Sequence, residues 1–274
     1  MSTRIAFIGG GNMAASLAGG LIAAGTTPAS IIVAEPDADR RTQLSKQFDV
    51  ATTANNLETL LRDVVVLSVK PQLMQTVCRQ LAESANVKNP LYVSIAAGIR
   101  TADIARWLGG DVAVVRCMPN TPALIQCGAT ALYANKTVSG AQQQLADEIL
   151  RAAGITAWVA DEDLLDVVTA VSGSGPAYFF LLMEAMQKTA VNLGLDKETA
   201  TSLVLQTALG AARMANESEL EVQELRARVT SKGGTTAAAI SSFEHDDFHH
   251  NVSKALNAAY NRSRELADEL GKDI

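Results

Sequence analysis

The sequence predicts an α/β fold, a doubly wound and mostly parallel sheet in its N-terminal part, followed by an all-α C-terminal part. Three observations predict it. Short apolar, β-branched runs alternate with helix-periodic runs from Ile5 to Ala160, the rhythm of strands joined by crossover helices. The first strand-like run ends in Gly9-Gly10-Gly11, and Gly9, Gly11 and Ala14 fit G-x-G-x-x-G/A, the strand-to-helix turn of a Rossmann-type sheet. From Glu162 onward no strand pattern remains, and long alanine-rich helical runs replace it. The 274 residues therefore divide into 1–161, a dinucleotide-binding domain, and 162–274, an all-helical domain.

The elements follow in order. Ile5 to Ile8 is the first strand, and Met13 to Ala24 is a helix closed by Gly25, a natural C-cap. Ser30 to Glu35 is the second strand, Asp39 to Phe48 a helix, Val50 to Thr53 a short strand and Leu57 to Leu61 a short helix. Asp63 to Val69 is nearly unbroken β-branched sequence, as expected of a strand buried on both faces. Leu73 to Ser84 and Thr101 to Leu108 read as helices, and Leu91 to Ile95 and Val112 to Cys117 as strands. Ala129 to Tyr133 and Ala157 to Ala160 read as strands flanking a helix from Ser139 to Ala153. Helices are then expected over Asp163–Val171, Ala177–Leu193, Asp196–Asn216, Glu219–Val229, Thr235–Phe243 and Val252–Leu270. Helices this apolar would expose much surface alone, which points to packing against a second copy of the chain.

Composition excludes several function classes. The net charge of −6 argues against general nucleic-acid or anionic-membrane binding. No apolar run reaches the ~18 residues that span a bilayer, so a cytoplasmic location is expected. Cys78, Cys117 and Cys127 lack metal-ligand spacing and read as buried, reduced thiols. His245, His249 and His250 are the only histidines; His245 and His249 have the i, i+4 spacing of a metal pair but no third ligand motif, so no metal is expected. No Gly-x-Ser-x-Gly elbow is present, which leaves a serine triad without support.

Four stretches carry candidate chemistry. In the glycine turn, Gly9 makes the tight bend, Gly11 leaves room for a pyrophosphate and Ala14 lets the helix pack close; the helix N-terminus then faces the anion. Glu35 follows about 20 residues on, where a carboxylate meets a ribose hydroxyl. Val69-Lys70-Pro71 ends a buried strand, either facing a cofactor or running into solvent. Ser172-Gly-Ser-Gly-Pro176 interrupts apolar helices, which suits a ligand or close packing equally. Thr230-Ser-Lys-Gly-Gly-Thr-Thr236 leads into a helix, forming an anion nest for a carboxylate or an ordinary capped helix start.

Together, Phe7-Ile-Gly-Gly-Gly-Asn-Met-Ala14, Val69-Lys-Pro-Gln72, Ala96-Ala-Gly98, Arg116-Cys-Met-Pro-Asn-Thr-Pro122, Ser172-Gly-Ser-Gly-Pro-Ala-Tyr178 and Thr230-Ser-Lys-Gly-Gly-Thr-Thr236 resemble the pyrroline-5-carboxylate reductases over nearly the whole chain. The resemblance implies the last step of proline synthesis, reduction of the cyclic imine L-1-pyrroline-5-carboxylate to L-proline by NADPH or NADH. It also implies dimerisation through the helical domain with the substrate pocket at the dimer interface, and in some members assembly up to decamers. By position, Gly9, Gly10, Gly11, Asn12 and Met13 would hold the pyrophosphate, and Glu35, Asn55, Val69, Lys70 and Pro71 would line the cofactor site. Ala96, Ala97, Met118 and Asn120 would lie by the nicotinamide. The substrate carboxylate would sit on the N–H groups of Gly233, Gly234, Thr235 and Thr236, with the Thr236 hydroxyl near the imine nitrogen as the catalytic group; Glu162 is a further substrate-side candidate.

This chemistry agrees with the residues. Hydride transfer to a C=N bond needs a protonated imine and a donor held over its carbon. The imine nitrogen is basic, so a hydroxyl or a water can replace a strong acid. Two positions depart from the family pattern. Lys232 stands where proline is common, and would add positive charge near the carboxylate. Glu35 stands where small polar or basic residues are common among NADPH users; the family leans to NADPH and the carboxylate to NADH, and Arg40 and Arg41 nearby could offset it, which leaves the preference open. The alternatives are another imine reductase, a β-hydroxyacid dehydrogenase of similar plan, or a non-catalytic nucleotide sensor. The dehydrogenase needs an interdomain lysine that is missing near Asp163 to Pro176, and the intact Gly-Gly-Thr-Thr turn argues against the sensor.

Overall fold

The computed structural model describes residues 3–84 and 89–273. Eight strands, β1 (Ile5–Ile8), β2 (Ile31–Ala34), β3 (Ala51–Thr53), β4 (Val64–Leu67), β5 (Leu91–Ser94), β6 (Val114–Met118), β7 (Gly128–Ala134) and β8 (Gly154–Trp158), form one sheet in the order β3-β2-β1-β4-β5-β6-β7-β8. Every pairing is parallel except β6 with β7. Ile5 pairs with Ile31 on one side and Val64 on the other, so the strand order reverses at β1 and β4. In open α/β sheets that reversal is where a ligand crevice opens, at the carboxyl ends of the strands.

The side-chain period of two sorts each strand's residues between two cores. Ile5, Phe7, Val33, Val64 and Val66 face one layer, packed on α1 (Asn12–Ala23), Leu44 of α2 (Ala38–Phe48), and Ile149 and Leu150 of α5 (Gly140–Arg151). Ala6, Ile8, Ile32, Val65 and Leu67 face the other, packed on Met74, Cys78 and Leu81 of α3 (Met74–Ala82) and on Ile104 and Trp107 of α4 (Thr101–Trp107). Because β1, β2, β4 and β5 are buried on both faces, they read as continuous apolar runs.

Local chemistry sets the ends of these elements. Gly25, at φ +99°, closes α1 with N–H bonds back to Ile22 and, through Thr26, to Leu21. Ser139 and Gln142 cap α5 reciprocally. Some sequence expectations shift. Leu57–Leu61 lies within a 3₁₀ segment, Asn56–Leu61, rather than an α-helix. The last strand starts earlier than 157, at Gly154: its φ is +146°, and a Cβ there would lie 2.0 Å from the Gly128 carbonyl oxygen, so glycine begins the strand instead of preceding it. Cys78 and Cys117 are buried free thiols, as expected, whereas Cys127 is exposed. Burial pushes the Cys78 thiol up to about 12 and raises Cys117 as well.

By packing, the chain forms two compact units, one running to Ser174 and taking back the chain from Ala259, the other Gly175–Ala258. That differs from the sequence division at 161/162, because α6 (Leu164–Val168) and the turn after it are bonded into the sheet unit through Glu162, Asp166 and Ser172. The second unit holds α7 (Gly175–Asn192), α8 (Lys197–Glu217), α9 (Val222–Arg228), α10 (Thr235–His245) and the start of α11 (Phe248–Leu270). Asp196 caps α8 by accepting from the Thr199 N–H at 2.9 Å. Phe179, Phe180, Leu181, Leu209 and Met214 are exposed on these helices. The 29-residue helical stretch Leu164–Asn192 is, by length and composition, long and apolar enough to cross a membrane. The run is broken by Asp166, Thr169, Ser172 and Ser174, so counting contiguous apolar residues misses it, although the mean hydropathy is 1.3.

Candidate functional site

The carboxyl edge of the sheet gathers most of the candidates within the first unit. Gly9 follows β1 with φ +96°, and a Cβ there would meet the Ser68 carbonyl oxygen at 2.7 Å. Ser68, a residue to which the sequence assigned no role, donates its hydroxyl to the carbonyls of Ile8 and Gly9 at 2.8 and 2.7 Å, stitching the ends of β1 and β4 together. The Gly9 N–H goes to the Ala34 carbonyl of β2. Gly11 is different: an ideal Cβ there finds no atom within 4 Å. It is also the N-cap of α1, whose first turn has neither a side-chain cap nor an acidic residue. The turn therefore presents bare helix N–H groups to open space, a cradle that a pyrophosphate fits.

Glu35 sits at the end of β2, half-buried. Its Oε2 accepts from the Gly10 N–H at 2.8 Å and Oε1 from the Asp37 N–H at 3.1 Å. The carboxylate thus braces the glycine turn from the end of β2. Arg40 Nε donates to the Gly10 carbonyl at 2.6 Å, and Arg41 Nη1 to the carbonyls of Glu35 and Pro36 at 2.7 and 2.8 Å. Both guanidinium groups are partly engaged on backbone, so neither neutralises the Glu35 carboxylate directly.

Val69, Lys70 and Pro71 follow β4, with Lys70 exposed at the start of a short 3₁₀ turn, Pro71–Leu73. Asn55, exposed, uses its side-chain oxygen to accept from the Leu57 N–H at 3.0 Å. Ala96 is buried and Ala97 exposed in the turn after β5, and Met118 ends β6. Asn120 stands two residues beyond and bonds to Ala129 and Ser172. The sheet topology brings all of these to the carboxyl ends of its strands, Asn55 two residues beyond β3 as Asn120 is beyond β6.

Glu162 has a different setting from the one its position suggested. Its Oε1 accepts from the Thr101 N–H at 2.8 Å and from Arg116 Nη1 at 3.2 Å, and its Oε2 from the Thr101 hydroxyl at 2.8 Å. Arg116 Nη2 also lies 3.9 Å from Asp166 Oδ1, which accepts the Ser263 hydroxyl at 2.6 Å. This buried cluster ties β6, the start of α4, α6 and α11 together. Arg116 and Asp166 were beyond sequence reasoning as a pair, since 50 residues separate them; the one available signal was an arginine inside an otherwise apolar strand.

In the second unit, Gly233 has φ +74° and the Gly234 N–H bonds back to Ser231 at 3.0 Å. Gly234 is the N-cap of α10, again without a side-chain cap or an acidic residue in the first turn. Thr235 is exposed and Thr236 half-buried at the first two positions of that helix. Lys232 is exposed just before them. The histidines lie at the end of α10 and the start of α11. Among the described residues no group of three His, Cys, Asp or Glu side chains could hold a metal.

Comparisons with known proteins agree with this arrangement. A family model described as pyrroline-5-carboxylate reductase dimerisation matches residues 162–266, and one described as NADP oxidoreductase, coenzyme F420-dependent, matches residues 4–98. The chain is 56% identical to a pyrroline-5-carboxylate reductase of Pseudomonas aeruginosa over 99% of its own length and 100% of the relative's. Among solved structures, a pyrroline-5-carboxylate reductase from Coxiella burnetii superposes with a TM-score of 0.93 at 47% identity, covering 97% of this chain and 99% of that one. A Plasmodium falciparum pyrroline carboxylate reductase with NADP bound superposes with a TM-score of 0.84 at 29% identity, covering 97% and 98%.

Proposed function

The chain belongs to the pyrroline-5-carboxylate reductase family and carries out that reduction in proline biosynthesis with an NAD(P)H-binding domain and a self-associating helical domain, and we propose which of its residues do the work. The pyrophosphate rests on the first turn of α1, on the N–H groups of Gly11, Asn12 and Met13; Gly9 shapes the turn, and Gly10 is held by Glu35. The open space at Gly11 is the observation that carries this reading. Val69, Lys70 and Pro71 line the same crevice, with Asn55 at its adenosine side. Ala96, Ala97, Met118 and Asn120 border the nicotinamide, which supplies the hydride.

The substrate is a small anion, so its carboxylate belongs on the uncapped N-terminus of α10, at Gly233, Gly234, Thr235 and Thr236. The positive end of the helix dipole attracts it without a dedicated arginine. Thr236 Oγ1 then orients the imine nitrogen and holds a proton there, with an incoming proton supplied by water. Glu162 contributes from a distance, through Arg116 and Thr101. The exposed apolar helices meet a second copy of the chain, and dimers associate further. A cytoplasmic location fits this chemistry, since NAD(P)H is the reductant. For the cofactor, the Glu35 carboxylate favours the ribose hydroxyls of NADH and disfavours the 2′-phosphate of NADPH.

Gly11→Val tests the cofactor cradle. Its side chain enters open space, so the melting temperature holds, while the KM for NAD(P)H rises at least tenfold. Unchanged KM at unchanged stability would remove the pyrophosphate from this turn. Thr236→Val in the same assay lowers kcat for L-1-pyrroline-5-carboxylate and leaves cofactor KM alone; full activity would remove Thr236 from the reaction.

A further inference from the structure

The Ser172–Pro176 motif is a helical irregularity rather than an open break. Thr169–Gly173 forms a π-helical turn directly after α6, and the Ser174 N–H bonds to the Thr169 carbonyl at 2.8 Å. Two hydroxyls pull on the same turn: Thr169 donates to the Leu165 carbonyl at 2.7 Å and Ser172 to the Val168 carbonyl at 3.1 Å. Such insertions are rare, and they cluster at functional sites. Residue 176 is proline and has no N–H to offer the carbonyl four residues earlier, which is that of Ser172.

That carbonyl has another partner. Asn120 Nδ2 donates to it at 3.1 Å, and Asn120 Oδ1 accepts from the Ala129 N–H at 2.9 Å. A carbonyl only accepts and a backbone N–H only donates, so the two contacts fix which way the amide points. Asn120 is the N-cap of the 3₁₀ segment Thr121–Ile125, yet its side chain makes no cap bond there. It is diverted to span from β7 to the π-turn. The turn also packs on the neighbour of Asn120: a Cβ at Gly173 would lie 2.5 Å from Met118 Cε. Glycine at 173 lets the turn sit close to the Met118 methyl, and proline at 176 offers no N–H of its own to the Ser172 carbonyl.

We infer that Asn120 is a positioning residue for hydride transfer, gripping the Ser172 carbonyl, to which Pro176 offers no N–H, and so fixing the Met118–Asn120 segment against the π-turn. The inference rests on the proposed place of the nicotinamide beside Met118 and Asn120. Hydride transfer is sensitive to the distance between donor and acceptor carbons, and a displacement of about 1 Å can cost roughly a hundredfold in rate. The segment after β6 is held further on by the Ser16 hydroxyl, which donates to the carbonyl of the buried Ala123; Asn120 is the residue that ties its start to the π-turn.

Asn120→Asp keeps the acceptor for Ala129 and replaces the donor to Ser172 with a second oxygen. Pro176→Ala leaves Asn120 intact and introduces an N–H that competes for the same carbonyl. Both are measured by single-turnover oxidation of NADPH and of NADH with L-1-pyrroline-5-carboxylate, alongside cofactor Kd by fluorescence. The expected result is a hydride-transfer rate constant ten- to a hundredfold lower in Asn120→Asp and several-fold lower in Pro176→Ala, with cofactor Kd within about threefold of wild type in Pro176→Ala, where Asn120 itself is intact. The double variant should lose little more than Asn120→Asp alone, because both act on one contact. A merely structural role would reduce the amplitude, the fraction of folded enzyme, and leave the rate constant unchanged. That outcome, or additive losses in the double variant, would overturn the inference. Should Asn120→Asp fail to fold, a wild-type rate constant in Pro176→Ala overturns it. A wild-type chain that does not turn over the imine would instead sink the functional reading on which it rests.

Discussion

Arg116→Met removes the guanidinium that faces two buried carboxylates. The side chains of Arg116, Glu162 and Asp166 are 4%, 16% and 5% exposed. Removing one member of a buried ion pair leaves an uncompensated charge and costs about 3–5 kcal/mol. Glu162 keeps two hydrogen bonds from Thr101, and Asp166 keeps the Ser263 hydroxyl, so the lower end applies, about 3 kcal/mol. For a unit of this size each kcal/mol moves the melting temperature by about 2–4 °C, which gives a loss of about 6–12 °C. Urea denaturation and calorimetry at neutral pH measure it directly. The triple variant Arg116→Met/Glu162→Gln/Asp166→Asn removes the stranded charges and should regain more than half of the loss. A single-variant cost below about 1 kcal/mol, or a triple variant no better than the single one, would refute the reasoning, since the cluster would then be behaving as a solvated surface pair. The same variant should lower kcat, because Met118 and Asn120 continue directly from the strand that Arg116 anchors.

Three further outcomes can be checked. Glu35→Ser should raise the ratio of kcat/KM for NADPH to that for NADH by roughly ten- to a hundredfold, because it removes both a charged acceptor for the ribose hydroxyls and a like charge beside a 2′-phosphate; an unchanged ratio would show that Arg40 and Arg41 already cancel it. Lys232→Ala should raise the KM for the imine severalfold with little effect on cofactor KM, and equal imine KM values would remove Lys232 from substrate attraction. Asp273 accepts from the Trp107 indole N–H at 2.9 Å, and that bond, with Arg106 and Arg79 nearby, holds its carboxyl below the usual aspartate range. A depressed folded-state value contributes stability above the unfolded-state value that is lost as pH falls through the folded one. Asp273→Asn should therefore melt lower than wild type near pH 7, and the gap should close as pH drops below about 4; a gap that persists in acid would mean that the charge is not its source.

The central strands β1, β2, β4 and β5 were legible because they are buried on both faces, and such strands write themselves as unbroken runs: Val64 to Leu67 could be little else. The glycine turn was legible for a similar reason, as Gly9 must adopt φ +96° where other residues are strained. Glu35 stands at the end of β2, where its spacing from the glycine turn puts it, and Gly233 to Thr236 open α10 as an uncapped helix start, as their residues suggest. Local rules describe contacts between residues close in sequence, and they end where contacts become long-range. The sequence could not say which residues Ser172 to Pro176 meets; the fold brings Asn120 and Met118 to the turn from 52 and 55 residues away. Nor could it pair Arg116 with Glu162 and Asp166, since a buried charge is stable only beside partners that the folded chain supplies. The sequence by itself determined the strands, the dinucleotide turn and the family; tertiary structure alone decided which polar groups are used up in holding the site and which are left for chemistry, because hydrogen-bond partnership inside a core depends on distance in space and not along the chain.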